Sequence, residues 1–268
     1  MCRFCPFATR LSVSVGDVMN LSATAYLLFE WTRRDFRIRY TQTLLGSMWA
    51  IIQPVALTAA FVFLFNRVAN IEVGIPYASF VFPGMLVWTL FSVGVSNANN
   101  AMLGSMHVAS KANYPRVVAP MSGALLPAVD FAAGLVLVPL LFIWQQPPVH
   151  FVPHEFLLAV LGTLLLSSGI GTFLAAVTVF LRDVRNVVPL GMQLALLVTP
   201  VGYRSRELPD VLKHNPMATF VEGFRASMLD VPGPDAGRWL TALAVAAAIF
   251  AFAMWYFHRV ERRFPDVA

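Results

Sequence analysis

The sequence predicts an all-α integral membrane protein with six transmembrane helices. It also predicts an amphipathic interfacial helix before them and a re-entrant helical segment between the fifth and sixth. Three observations carry this fold class. Of 268 residues, 58% are hydrophobic and only 12% charged, with a mean hydropathy of +0.69, whereas soluble domains are about 25% charged. Apolar segments recur at lengths near the roughly 20 residues that cross a bilayer. The basic residues gather beside those segments, so the net charge of +5 reads as topology and lipid contact, not nucleic-acid binding.

The elements follow in order. Residues 1–27 form a cytoplasmic tail whose apolar stretches are too broken for a signal peptide, and Met19 offers an alternative start. Cys2 and Cys5 make a lone C-x-x-C, half of what a structural zinc site needs, and no metal site is predicted. Residues 28–43 read as the interfacial helix. Glu30, Arg34, Arg37 and Thr41 fall on one stripe and Phe29, Phe36 and Tyr40 on another, the pattern of a helix lying at the membrane surface.

Residues 44–257 hold the six spans, at 44–65, 77–98, 117–144, 156–181, 187–203 and 239–257. Pro54, Pro83, Pro127, Pro139 and Pro189 lie within them and predict kinks, because neighbouring helices can satisfy the freed carbonyls. Ser167, Gly171 and Ala175 are spaced four apart and favour close helix approach. The stretch 217–229 is too short to cross. Asn215 followed by Pro216 gives it an N-cap and a first-turn proline. Residues 258–268 form a cytoplasmic tail, and the whole chain, 1–268, reads as one transmembrane domain.

Orientation follows from lysine and arginine. One side collects Arg3, Arg10, Arg33, Arg34, Arg37, Arg39, Lys111, Arg116, Arg182, Arg185, Arg259, Arg262 and Arg263. The other has Arg67, Arg204, Arg206, Lys213, Arg225 and Arg238. The richer side is cytoplasmic by the positive-inside rule, which places both termini there.

Some residues carry more than topology. Arg33, Arg34, Arg37 and Arg39 read either as an anchor on anionic lipid, worth about 1 kcal/mol each, or as a landing site for a pyrophosphate headgroup, which suits the forked guanidinium. Tyr77, Phe80, Trp88 and Phe91 share one stripe of the second span. They form either a rail on which sugar rings stack or ordinary packing. Asp130 lies inside the third span, where a carboxylate needs a partner or water. It reads as a structural hydrogen bond or, alternatively, a proton relay. Glu222 and Arg225, three apart, can pair on one helix face.

Six segments then occur in a telling order: RRDFRIRYTQTLLGSMWAIIQP (33–54), PYASFVFPGMLVWTLFSVGVSNANNAM (76–102), SKANYPRVVAPMSGALLPAVDF (110–131), FLRDVRNVVPL (180–190), TPVGY (199–203) and HNPMATFVEGFRASML (214–229). In these the chain resembles the ABC-2 type permeases that export O-antigen, capsule and teichoic acid polymers. The resemblance covers 28–229, and the last span matches in kind only.

The resemblance implies a permease subunit in the cell inner membrane, working as a homodimer with two copies of a separate ABC ATPase. ATP and Mg would be bound by that partner and no cofactor by this chain. The absence of a G-x-x-x-x-G-K-[ST] phosphate loop agrees. It further implies that a cytoplasmic helix within the polar segment 97–116 docks on the ATPase, with Asn100, Ser105, His107, Lys111 and Arg116 as candidates. The outer region containing Glu222 and Arg225 is similar to the family's exit gate. A lipid-linked polysaccharide is the expected cargo. The alternatives are a small amphiphile or drug, or a membrane-embedded transferase using Asp130 or Glu222.

Overall fold

The computed structural model describes residues 21–41, 48–68, 74–109, 115–203 and 215–266. Its helices are α1 (Leu21–Thr41), α2 (Trp49–Phe61), α3 (Tyr77–Ala109), α4 (Val118–Leu125), α5 (Pro127–Leu135), α6 (Leu137–Gln145), α7 (Pro153–Phe180), α8 (Val184–Val198), α9 (Pro216–Ala226) and α10 (Ala236–Val260). A π-helical turn, Val62–Val68, continues α2, and a 3-10 turn, Glu261–Asp266, follows α10. Among the described residues the one strand-like pairing is an isolated antiparallel bridge between Val149 and Leu229.

Four helical stretches are long and apolar enough to cross a membrane: Tyr77–Met102, Val118–Gln145, Pro153–Phe180 and Ala236–Phe264. The expected first and fifth spans are realised as shorter apolar helices, Trp49–Phe65 and Val184–Val198. In the third, the helix is interrupted at Leu126 and Val136, dividing it into α4, α5 and α6. Each interruption immediately precedes a segment containing a proline, Pro127 or Pro139, whose nitrogen has no hydrogen to donate.

α3 forms the centre of the bundle and packs most extensively on α7. The seam is built from the small residues the spacing suggested. A Cβ on Gly171 would lie 2.5 Å from the Ala98 methyl, so the two backbones approach as closely as glycine allows. α3 also runs past the expected end of its span at residue 98, continuing without a break to Ala109. The polar residues there do not all meet water. The Thr178 hydroxyl donates to Asn99 Oδ1 at 2.5 Å, with both side chains buried. At 33 residues the helix is about 50 Å long, more than the hydrocarbon thickness.

The bundle has two distinct ends. At one, α9 is sunk between α3, α7 and α10, with every residue buried except Pro216 and Glu222. The expected cap is present, Asn215 Oδ1 accepting from Met217 N at 3.0 Å. At the other end Met102, Val117, Val179, Phe257 and Phe264 form a second apolar cluster, against which Trp31 of α1 packs.

α1 is helical across most of the expected interfacial segment but begins at Leu21. Its bundle-facing line differs from the stripes read in the sequence. Leu27 is buried, Trp31 packs on the cluster, Asp35 accepts from the α4 residue Ser122, and Arg39 pairs with Asp130. These four positions are spaced four apart and make one helix face. Phe29, expected on an apolar stripe, is 65% exposed.

Candidate functional site

Three groups of polar residues lie along the bundle, one at each end and one between. The α1 end carries the arginine cluster. Arg34 stacks on the Trp31 ring, 4.0 Å from its centroid, and reaches Asp35 Oδ1 with Nε at 3.0 Å and Nη2 at 2.8 Å. Asp35 Oδ2 accepts from the Ser122 hydroxyl at 3.4 Å. Arg33 lies 3.7 Å from Glu30, and both Arg33 and Arg37 are exposed. Of the four arginines proposed for a headgroup, Arg33 and Arg37 are therefore the outward-facing ones. Arg34 and Arg39 have work inside the fold.

That work is clearest for Arg39. Its Nη1 lies 3.3 Å from Asp130 Oδ2, which supplies the intramembrane carboxylate with a cation. Asp130 stands twelve residues into the Val118–Gln145 stretch, roughly 18 Å along it. A small cavity of about 20 Å³ adjoins the pair, bounded by Trp49, Gln53, Thr89 and Phe131 among others.

At the α9 end Arg225 is 2% exposed. Its Nε donates to the Phe80 carbonyl at 2.8 Å, and Nη2 donates to the carbonyls of Val201 at 2.8 Å and Pro200 at 3.4 Å. The guanidinium also lies over the Phe80 ring, 3.6 Å from its centroid. A Cβ on Gly84 would sit 2.8 Å from Nη2, so glycine leaves the space the guanidinium fills. One cation thus ties α3, α9 and the turn after α8 together. Glu222 Oε2 forms an ion pair with Arg238 of α10, 2.8 Å from its Nη2. Two further polar ties close this end. Tyr77 Oη donates to the Gly202 carbonyl at 2.6 Å, and Ser79 N and Oγ donate to Gln145 Oε1 at 2.9 and 2.6 Å.

The aromatic stripe lies inside the subunit. Tyr77, Phe80, Trp88 and Phe91 are all buried; the Tyr77 and Phe80 rings are 6.4 Å apart and those of Trp88 and Phe91 5.5 Å apart. A sugar could reach them only if neighbouring helices parted. An apolar groove of about 910 Å³ runs instead between α2, α3 and α6, lined by Val55, Ala59, Phe63, Phe82, Leu140 and Trp144 among others.

The candidates for ATPase docking divide. Asn100 lies on α3 and its Nδ2 donates to the Ser96 carbonyl at 2.9 Å. Arg116 Nη1 donates to the Glu261 carbonyl at 2.7 Å, joining the start of α4 to the turn after α10. The backbones of Ser105 and His107 belong to α3, while their side chains, and the whole of Lys111, lie outside the described residues. So do Cys2 and Cys5. Among the described residues no group of three or more His, Cys, Asp or Glu could hold a metal ion.

The sequence reading missed Asp35, the Arg39–Asp130 pair, the Glu222–Arg238 pair and the carbonyl partners of Arg225. Only the first left a local signal, the four-residue spacing of Leu27, Trp31, Asp35 and Arg39. The others join residues far apart in the chain.

Comparison with known proteins adds to this geometry. Residues 26–229 match the family model described as ABC-2 type transporter. The chain is similar to two proteins of Klebsiella pneumoniae, each named O-antigen export system permease protein RfbA. One is 25% identical over 261 residues, covering 95% of this chain and all of that protein. The other is 22% identical over 254 residues, 92% of this chain and 97% of that protein. A protein of the same name from Myxococcus xanthus is 27% identical over 249 residues, 90% of this chain and 94% of that protein.

Proposed function

We propose that this chain, which belongs to the ABC-2 type transporter family, is the membrane-spanning permease subunit of an exporter of lipid-linked polysaccharide, an O-antigen or a similar cell-surface glycan. The observation that carries this reading is the near end-to-end similarity to permeases named for O-antigen export. The relatives' lengths leave no large part of them without a counterpart here. Multi-pass membrane insertion follows from the four long apolar helices.

In the full proposal the short helices α2 and α8 also cross, giving six spans, and α9 re-enters from the outer side. The bundle acts as one transmembrane domain in the inner membrane. Described arginines concentrate at the α1 end, at Arg33, Arg34, Arg37, Arg116, Arg182, Arg185, Arg259, Arg262 and Arg263, which supports a cytoplasmic location for that end and for both termini. Two ATP-binding subunits dock there, against the end of α3 and α1, and bind the ATP and Mg that drive transport. A second copy completes the path. The exposed apolar faces of α2 and α8, with Trp49, Val55, Leu190, Leu194 and Leu197, support pairing there. Arg33 and Arg37 receive the headgroup, and the Arg225 knot with Glu222 closes the outer gate.

A transferase reading loses its acids. Asp130 and Glu222 each face an arginine, an arrangement that suits a structural role more than proton transfer. The reading is tested by purifying the chain with its ATPase in lipid nanodiscs. Undecaprenyl-linked glycan should stimulate ATP hydrolysis and be transported. Stimulation by small amphiphilic drugs and never by the glycan would overturn the cargo.

A further inference from the structure

We propose that α5 is a relay between the two ends of the bundle, and that Arg39 and Asp130 are the positioning residues that couple α1 to it. The proposal rests on the reading above in one respect: a nucleotide-driven partner displaces α1. Three observations converge on α5. It is a nine-residue helix, Pro127–Leu135, set off from its neighbours by the interruptions at Leu126 and Val136. The backbone stays in the right-handed helical region at both points, so α5 tilts by bending where Pro127 and Pro139 remove helix hydrogen bonds.

The two sides of that unit hold different partners. Asp130 takes Arg39 of α1. The next residue, Phe131, packs on Phe224 of α9, with ring centroids 5.5 Å apart, and Phe224 adjoins Arg225, which holds the turn after α8. A displacement of α1 thus meets, in succession, an ion pair, a short helix and an aromatic contact with the gate helix.

The kind of contact matters as much as its position. Apolar surfaces within a bilayer slide past one another with little preference, since lipid offers the same contacts. An ion pair within an apolar span does not, because separating it strands charges in a low-dielectric medium. At 3.3 Å the pair is longer than the roughly 2.7–2.9 Å of a closed charge-assisted hydrogen bond. The adjoining cavity of about 20 Å³ exceeds the minimum of about 10–15 Å³ for one water. The link can rotate as α5 tilts without the two charges separating.

The test uses the chain with its ATPase in nanodiscs, with Cys2 and Cys5 replaced by serine and spin labels on cysteines introduced at the exposed α9-end positions Trp144 and Asp230. ATP should change the label distance in the otherwise unaltered protein. Asp130→Asn and Phe131→Ala should each abolish that change and reduce glycan transport by about tenfold or more. Basal ATP hydrolysis by the Asp130→Asn complex should persist. The exchange Arg39→Asp with Asp130→Arg, which keeps the pair, should restore the distance change, a recovery that mere misfolding would not allow. If the change survives in Asp130→Asn and Phe131→Ala, or if the exchange variant assembles and fails to recover it, the relay is wrong while the transporter reading stands. If the unaltered complex shows no response to ATP, the underlying reading fails instead.

Discussion

The contact between α3 and α7 and the flanking helices α2 and α8 are built on opposite terms. Along the first, Gly171 and Ala98 bring backbones together, and even Asn99 and Thr178 are fully buried. In α2 only Pro54 and Thr58 are buried, and in α8 only Val188. The first pair of helices has its partners within the subunit. The second pair leaves most of its apolar surface for lipid or another copy of the chain. The contrast separates a fixed frame from the parts whose packing is completed by assembly.

Substitutions at four places break or sharpen that contrast. The largest loss is expected from Gly171→Leu, which forces α3 from α7 and should cost about 3 kcal/mol, seen as a lower unfolding temperature of the purified protein. Arg225→Met strands carbonyls of Phe80 and Val201 and should cost about 2–3 kcal/mol. Hydrogen exchange should rise at residues 199–203, and protection there equal to the parent would refute the tie. Asn99→Leu alone should cost about 1 kcal/mol, while the pair Asn99→Leu with Thr178→Val should be nearly neutral. A double variant as unstable as the single one would mean that the seam needs its polar groups. Leu194→Trp on α8 should leave subunit stability within about 0.5 kcal/mol yet lower the yield of cross-linked dimer. An unchanged yield would direct α8 towards lipid.

Much of the frame was legible because it follows local rules. Asn215 and Pro216 marked the start of α9, and the four-residue spacing of Ser167, Gly171 and Ala175 marked the close face of α7. Apolar length alone located the four long helices within a few residues. What was hidden depends on distance along the chain. Nothing near Asp130 announces Arg39, and nothing near Arg225 announces that its acceptors are the carbonyls of Phe80, Pro200 and Val201. The extension of α3 to Ala109 was hidden for a related reason. A run of asparagines reads as a wet connector unless a partner such as Thr178, far along the sequence, is known to face it.

Pro83 deprives α3 of one internal hydrogen bond only one turn from the carbonyl that Arg225 clasps. From there to Ala109 the helix runs on for about 39 Å. Seated along α7 and otherwise unbroken, it carries its partner with it: a turn of the pair by about 5° about this point moves the far end about 3 Å. Small angular changes beside Arg225 and ångström-scale strokes beneath the bundle are then one motion, measured at different radii.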